Sequence, residues 1–279
     1  MKSIEGWRRA RLDMRRREVA WRFGRHAALS ACVCSAIGLS AVEDANAQSR
    51  LVGSDYISRP LVLPRGVLRI DGGPRRPYDF GQVMPAGQLQ FLINNEGDDA
   101  AFLVPGAGVG AIDNLELGAV WPLRISPDAN LADLSVYGKY SLQRGTVEVA
   151  GFAEIRIPVE DVFELTGGLP VYVHLSGARI ETGGFLRFRF GSDAAVVLHV
   201  PVSVPIQVSP EVFVGPEIGV DIYKFEDVGL PLGVIAGYTL GGGISSIGDL
   251  FARFALADIT SGADTIRLDV GAEIFFDIF

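Results

Sequence analysis

The sequence is poor in cysteine and lacks long apolar runs. Its two cysteines, Cys32 and Cys34, both lie near the N-terminus. The rest of the chain therefore has no thiol that could form a disulfide, act as a nucleophile or bind a metal. Beyond residue 47, no stretch has the roughly 20 consecutive apolar residues that a membrane-spanning helix needs. These absences exclude a disulfide-stapled domain, a cysteine-dependent site and a helical membrane protein.

Histidine and positive charge are also scarce. Beyond residue 47 the histidines are His174 and His199, which are too few for a multi-histidine metal site. We find no glycine loop of the kind that binds phosphate. The formal charge of −8 argues against nucleic acid as a partner, because phosphate binding requires a basic surface. We therefore predict no metal, no cofactor and no nucleic-acid partner.

Residues 1–47 have the three parts of an export signal. An arginine-rich region over residues 15–25 precedes an apolar, small-residue region over residues 27–42, and Ala45-Asn46-Ala47 supplies an A-x-A cleavage site. The apolar region is shorter than a spanning helix, which favours a signal peptide over a membrane anchor. We predict cleavage between Ala47 and Gln48. Because this leader is basic, the exported remainder is more acidic than the whole chain.

Residues 48–87 differ from the rest in being proline-rich and locally basic, with one short strand-like piece over Val67–Asp71. Two interpretations are open: an inserted plug or periplasmic docking arm, or an extended leader into the first strand. Proline is a poor member of a sheet ladder and is common in linkers. The composition therefore favours an extended leader, with the folded domain beginning at residue 88.

Residues 88–279 show apolar and polar residues in alternation over stretches of about ten residues, which is the period of a strand with two different faces. In the clearest case, residues 146–159, a helix would scatter the apolar residues around its circumference. We predict twelve strands, at residues 88–94, 103–112, 115–125, 134–142, 146–159, 169–175, 185–190, 196–208, 212–223, 232–240, 250–258 and 266–279.

The connections between these strands form two alternating sets. One set is mostly short: residues 113–114, 143–145, 181–184 and 209–210, with a longer glycine-rich member at 241–249. The other set is longer and acidic, at residues 95–99, 127–133, 160–168, 191–193, 226–229 and 260–264. Bacterial barrels have short periplasmic turns and longer extracellular loops. The pattern therefore places the short connections and the C-terminus in the periplasm.

The last fourteen residues, Ile266 to Phe279, alternate strictly and end on an aromatic residue. With the leader and the hairpin series, this stretch resembles the bacterial outer-membrane β-barrel superfamily, in which Phe279 would be the insertion signal. Phe279 shares a face with Asp277 and Glu273, so the resemblance requires a bulge or an atypical signal. It implies an all-β fold: a transmembrane antiparallel up-and-down barrel of about 12 strands, within a range of 10–14.

The inward face of such a barrel would carry charges of both signs. We predict that the following residues line the lumen: Glu116, Arg124, Lys139, Glu148, Glu154, Arg156, Arg187, Arg189, Glu217, Asp221, Arg253, Arg267, Asp269 and Glu273. Mixed charges at this density either set the ion selectivity of a small pore or fill a narrow barrel with salt bridges. Both possibilities stay open at this point.

The resemblance implies a passive pore for ions and small solutes, or a structural surface protein, in the bacterial outer membrane. Its partners would be outer-membrane lipid, lipopolysaccharide and the barrel-insertion machinery. A first alternative is a lipid hydrolase, because His174 and Ser176 share a strand face, as the His-x-Ser of outer-membrane phospholipases does. No asparagine follows Ser176, and no carboxylate can be assigned as a third member. A second alternative is a soluble periplasmic β-sandwich that binds a ligand.

Overall fold

The computed structural model describes residues 55–71, 88–94, 99–131, 133–159, 163–191, 194–241, 248–260 and 265–278. The predicted signal peptide, its cleavage site at Ala47 and Gln48, and the insertion signal Phe279 lie outside these residues. No helix in this part of the chain is long and apolar enough to cross a membrane.

Strands dominate the described residues, after a single 3-10 turn at Tyr56–Ser58. They are β1 Val67–Asp71, β2 Gln88–Asn94, β3 Ala100–Val104, β4 Gly106–Ile112, β5 Leu115–Val120, β6 Leu123–Ser126, β7 Asn130–Leu131, β8 Leu134–Gln143, β9 Val147–Ile157, β10 Phe163–Leu175, β11 Ala178–Phe190, β12 Ala195–Ser203, β13 Ile206–Gln207, β14 Val212–Tyr223, β15 Asp227–Gly229, β16 Leu232–Leu240, β17 Gly248–Leu256 and β18 Thr265–Asp277.

All of these strands join one antiparallel sheet that closes on itself. Some short strands lie end to end and share one position in the wall, so the described residues form a barrel with twelve strand positions around its circumference. The barrel closes where the last strand, β18, pairs with β2, from Thr265↔Asn94 to Gly271↔Gln88. The predicted strand count of about twelve is thus confirmed. A closed barrel gives every strand two neighbours and leaves no sheet edge, which a two-sheet sandwich does not do.

The first wall position consists of two separate strands. β1 pairs with the last residues of β18, from Ile70↔Ile274 to Val67↔Asp277, and on its other side with β4. β2 continues the same position along β18 and pairs with β3. The wall therefore begins at Val67, ahead of the boundary predicted at residue 88.

Residues that alternate between apolar and polar in the sequence alternate between the outer and the inner face of the barrel wall. In β14, Phe213 and Glu217 are buried, whereas Val214 and Ile218 are exposed. The long wall strands follow the same rule, so large apolar side chains cover the outside and charged or aromatic ones turn inward. This is the arrangement that a barrel needs in a bilayer, where lipid meets the outer face and strand pairing satisfies the backbone.

Prolines in a sheet are expected at bulges or near its rims, because proline cannot donate to the ladder. Pro205 agrees with this expectation, since it separates β12 from β13, but Pro201 and Pro216 lie inside β12 and β14. The pairing of β11 with β12 skips from Thr182↔Val202 to Phe185↔His199, so the interruption falls at Pro201. A residue without an N–H fits where the ladder is already broken.

Candidate functional site in the barrel interior

The fourteen residues predicted to line the lumen are all buried or half-buried in the structure. Nine are buried: Glu116, Lys139, Glu154, Arg187, Glu217, Arg253, Arg267, Asp269 and Glu273. The other five are half-buried: Arg124, Glu148, Arg156, Arg189 and Asp221. Because their strand neighbours in the chain are largely exposed and apolar, these side chains occupy the face opposite to the outer surface.

The barrel has two distinguishable ends. At one end, which we call the short-turn end, lie the turns after β4, β8 and β10; the C-terminal residues of β18 reach the same end. At the other, the long-loop end, lie the connections after β9, β11, β14 and β17. Wall charges pair with one another at both ends, as Glu116 does with Arg69 and Lys139 at the short-turn end, where wall charges also bind a further segment of the chain.

At the long-loop end, opposite charges pair across neighbouring strands. Glu164 of β10 lies between two arginines, 2.9 Å from Nη1 of Arg156 on β9 and 3.0 Å from Nε of Arg189 on β11. The side chain of Glu164 is only 7% exposed. Sequence reasoning missed Glu164 because residues 160–168 have the composition of a loop, whereas β10 begins at Phe163.

A second network lies in the middle of the wall. Arg253 of β17 is 2.8 Å from Oε2 of Glu217 and 3.8 Å from Oδ2 of Asp269, and Arg267 is 2.8 Å from the same Asp269 oxygen. Arg253 reaches Glu217 diagonally across β16, because Arg253 is opposite Ile235 and Glu217 is opposite Gly233. Nearby, Nδ1 of His199 lies 2.7 Å from Oδ1 of Asp221. These contacts are those of a salt-bridge network that fills part of a narrow barrel.

At the short-turn end, the interior holds a piece of the chain itself. Residues 55–66, which we call the N-terminal segment, run from the 3-10 turn to the start of β1, and Tyr56, Ile57, Leu61, Val62 and Leu63 are all buried. The favoured interpretation of an extended leader does not describe these residues. The alternative of an inserted segment does.

Wall side chains bind the backbone of the N-terminal segment from several directions. Leu61 N–H donates to Oε2 of Glu148 at 2.6 Å, and Leu63 N–H donates to Oε2 of Glu116 at 3.1 Å. In return, Lys139 Nζ donates to the carbonyl of Leu61 at 2.8 Å. Both the donors and the acceptors of this backbone therefore have charged partners.

Two further wall residues meet carbonyl groups of the N-terminal segment. Arg179 Nη1 donates to the carbonyls of Tyr56 and Arg59, at 2.9 and 3.0 Å. Nδ1 of His174 lies 2.9 Å from the carbonyl of Ile57. Hydrogen bonds to charged groups are the stronger kind, contributing about 1.5–3 kcal/mol each.

The side chains of the segment also have fitted surroundings. The Tyr56 ring stacks on Phe213 with centroids 4.0 Å apart, and its hydroxyl donates to Glu181 at 2.9 Å. The Arg59 guanidinium pairs with Asp249 and lies 4.8 Å from the centre of the Phe275 ring. Leu61 and Val62 pack with Ala150 and Tyr172.

A glycine in the wall allows the N-terminal segment to pass close to β4 before it joins the wall. A Cβ on Gly110 of β4 would overlap the carbonyl oxygen of Pro64, so only glycine allows this close approach. Beside it, Gly66 adopts φ +82°, a left-handed conformation that suits glycine, and donates its N–H to the Gly110 carbonyl at 2.9 Å. From Val67 onward the chain is a wall strand.

Several partners of the segment were not found in the sequence, because the strands predicted there are shorter than β10 and β11. The prediction of a turn at residues 181–184 is wrong: the turn is at Ser176-Gly177, and β11 runs through Gly183 and Gly184. Arg179 and Glu181 therefore belong to the inner face. The sequence does contain a signal for them, because Arg179, Glu181 and Arg187 are separated by even numbers of residues and so lie on one face of a strand.

The pair considered for a hydrolase does not form a site of that kind. His174 binds the Ile57 carbonyl and lies 3.5 Å from Oε1 of Glu148. Ser176 is exposed in the turn that follows β10. Among the described residues, no hydrogen bond joins the Ser176 hydroxyl to His174.

The closed antiparallel barrel, with its apolar outer surface and charged interior, is the fold of outer-membrane β-barrel proteins. The COG4313 outer membrane channel from Pseudomonas putida F1 is similar in structure, with a TM-score of 0.51 and 10% identity over 85% of this chain and 100% of that chain. KdgM porin, in complex with disordered oligogalacturonate, has a TM-score of 0.50 and 8% identity over 68% of this chain and 98% of that chain. Neither a family model nor a curated protein matches the sequence.

Proposed function

We propose that the protein is a passive outer-membrane channel for ions and small hydrophilic solutes. The observation that carries the proposal is the closed twelve-strand wall with exposed apolar side chains outside and ionisable side chains inside. A surface of that kind suits lipid, and a charged interior suits water and ions. The fold is shared with proteins named as a porin and as an outer membrane channel, which supports the same function.

In this proposal the signal peptide of residues 1–47 is removed on export, and the mature chain begins at Gln48. The fourteen predicted lumen residues line the solute path. Their charges are mixed in sign, so we expect weak rather than strict ion selectivity. The N-terminal segment narrows the path at the short-turn end, so the conductance should be small for a barrel of this size.

Conductance of the refolded mature protein in a planar lipid bilayer tests the proposal. We expect discrete channel events whose reversal potential in a salt gradient shifts toward anion selectivity in Glu154→Gln and toward cation selectivity in Arg156→Gln, each made separately. A total lack of conductance, including in variants that release the N-terminal segment, would leave a structural surface protein as the better explanation.

Fractionation tests the proposed location. The mature protein should enter the outer-membrane fraction and migrate differently on a gel before and after boiling, because a folded barrel resists detergent until it is heated. Recovery in the soluble periplasmic fraction would contradict the proposal.

The hydrolase alternative has less support. A base–nucleophile pair must lie within hydrogen-bond reach, whereas His174 contacts the Ile57 carbonyl and Ser176 is exposed in a turn. We assign His174 to positioning of the N-terminal segment, and we propose no catalytic residue.

A further inference from the structure

We infer that the short-turn end of the barrel interior is a binding site for a peptide, and that residues 55–66 are its tethered, displaceable occupant. On this view the occupant narrows the channel when it is bound and widens it when it leaves. The inference rests on the proposed channel function for its consequence, but the peptide site can be tested without it.

The first argument is that the wall recognises the segment as a peptide backbone. Glu116 and Glu148 accept from backbone N–H groups, while Lys139 and Arg179 donate to backbone carbonyls. Donors and acceptors alternate over Leu61–Leu63, while the carbonyl of Tyr56 belongs to the 3-10 turn at Tyr56–Ser58. The wall therefore meets main-chain polar groups along the segment, as a protein does when it binds a peptide. These wall residues come from β5, β8, β9 and β11, so the site is assembled by the closed barrel.

The second argument is that the site also has places for particular side chains. Tyr56 stacks on Phe213, Arg59 meets Asp249 and Phe275, and Leu61 contacts the cluster with Ala150 and Tyr172. A peptide that fits the site should therefore carry an aromatic, a basic and an aliphatic residue in that order. Main-chain bonds give affinity and the side-chain pockets give specificity.

The third argument concerns displacement. Among the described residues, the backbone hydrogen bonds that join the segment to the wall begin only at Gly66, which donates to Gly110. Residues 55–65 are held instead by hydrogen bonds from their backbone to wall side chains, and water can replace the segment as the partner of those side chains. The segment can therefore leave as a unit, pivoting at Val67, while the sheet stays closed.

Thiol labelling tests displacement directly, because no cysteine follows Cys34 in the chain. Ile57→Cys places a thiol at a buried position of the segment, and Thr146→Cys places one in an exposed turn as a reference for full reactivity. In the folded full-length mature protein we expect the thiol at position 57 to react much more slowly than the one at position 146. Adding Gly110→Ala, which makes a Cβ overlap the Pro64 carbonyl, should speed labelling at position 57 about tenfold or more.

Gly151→Ala is the matched control, because a Cβ there would meet nothing within 4 Å. It should leave the labelling rate at position 57 unchanged. Equal labelling at positions 57 and 146 in the parent protein would overturn the inference, since the segment would then not be a stable occupant. The inference also fails if Gly110→Ala has no more effect than Gly151→Ala.

A synthetic peptide of residues 55–66 tests the site itself. Labelled with a dye and titrated with the Gly110→Ala protein, whose own segment is displaced, the peptide should bind with saturation in a fluorescence-anisotropy measurement. The parent protein should bind it far more weakly, because its tethered segment competes at an effective concentration of about millimolar.

Two altered peptides separate specific from general binding. A scrambled peptide should not saturate, and a peptide N-methylated at Leu61 and Leu63 should bind at least about tenfold more weakly, because it lacks the donors for Glu148 and Glu116. Equal binding of the native and N-methylated peptides would overturn backbone recognition. In bilayers, the native peptide should reduce the conductance of Gly110→Ala.

The outcomes distinguish the two proposals. If the peptide binds and labelling responds but no variant conducts, the channel function fails and the peptide site stands. If the parent and Gly110→Ala conduct equally and the peptide does not bind, the channel stands and the inference fails.

Discussion

Wall charges pair with one another at both ends of the barrel, as Glu116 does with Lys139, but at the short-turn end they also bind a segment that is not part of the wall. At the long-loop end, Glu164 is held between Arg156 and Arg189, so wall strands neutralise each other. At the short-turn end, Glu148 and Arg179 bind the backbone of a separate segment. Charges that pair within the wall stabilise the wall, whereas charges that bind an inserted segment create a place that can be occupied or vacated.

The largest expected effect comes from breaking the ion pair that anchors the segment. Arg59→Ala removes the positive charge beside Asp249, a fully buried carboxylate that would keep, among the described residues, only its hydrogen bond from Thr239, and such a loss costs about 3–5 kcal/mol when the site stays dry. Displacement of the segment relieves that cost by admitting water. We expect a several-fold rise in single-channel conductance.

Arg144→Ala is the control for this prediction, because Arg144 lies in an exposed turn at the same end. It should leave conductance unchanged. If both variants have the conductance of the parent protein, the N-terminal segment does not limit ion flow through the channel.

The second effect should appear at the opposite end and in a different measurement. Glu164→Gln removes the negative charge between Arg156 and Arg189, and loss of these charged bonds costs on the order of 1–3 kcal/mol. We expect a lower midpoint of thermal unfolding and a reversal potential shifted toward anion selectivity.

Labelling at position 57 should not change in Glu164→Gln, because Glu164 and the N-terminal segment lie at opposite ends of the barrel. Glu226→Gln, in an exposed loop at the same end as Glu164, provides the control. A selectivity shift of equal size in both variants would show that surface charge, rather than the interior pair, controls selectivity.

A smaller effect is expected from Tyr56→Phe. The substitution removes the hydroxyl that donates to Glu181 but keeps the ring that stacks on Phe213. Losing one bond to a charged group costs about 1.5 kcal/mol, the low end of its range, since Glu181 is still bound by Arg179. Labelling at position 57 should rise by up to about tenfold, and Tyr56→Ala should raise it more; the reverse order would argue against the stacking contact.

The smallest effect is expected from Ser176→Ala. Ser176 is exposed in the turn between β10 and β11. Conductance, thermal stability and labelling should match the parent protein. Hydrolysis of phospholipid by the parent that is abolished in Ser176→Ala would instead establish the hydrolase alternative.

Much of the wall could be predicted because each strand carries its own local signal. Residues 146–159 and 212–223 alternate without interruption, and the structure has strands at Val147–Ile157 and Val212–Tyr223. The prediction was incomplete at β10 and β11, where paired glycines resemble turn residues. In the barrel they make room for the Phe185 ring, because a Cβ on Gly168 or Gly183 would overlap it.

The N-terminal segment could not be predicted in the same way. Its proline content is typical of a linker, and its polar contacts join residues far apart in the chain, such as Tyr56 with Glu181 and Arg59 with Asp249. The apolar–polar alternation within a strand gives no information about contacts between residues so far apart in the sequence. Several of the wall residues concerned, such as Glu116, Lys139 and Glu148, were nevertheless among those predicted to face inward.

The sequence by itself thus determined the strand period, the two faces of the wall and the inward charges, because alternation is a property of each strand alone. The tertiary structure decided what those charges meet. Closure of the barrel brings side chains of β5, β8, β9 and β11 around one space, and only then does a proline-rich segment find a partner for its backbone. That assembly depends on contacts across the closed barrel, which no stretch of the sequence contains.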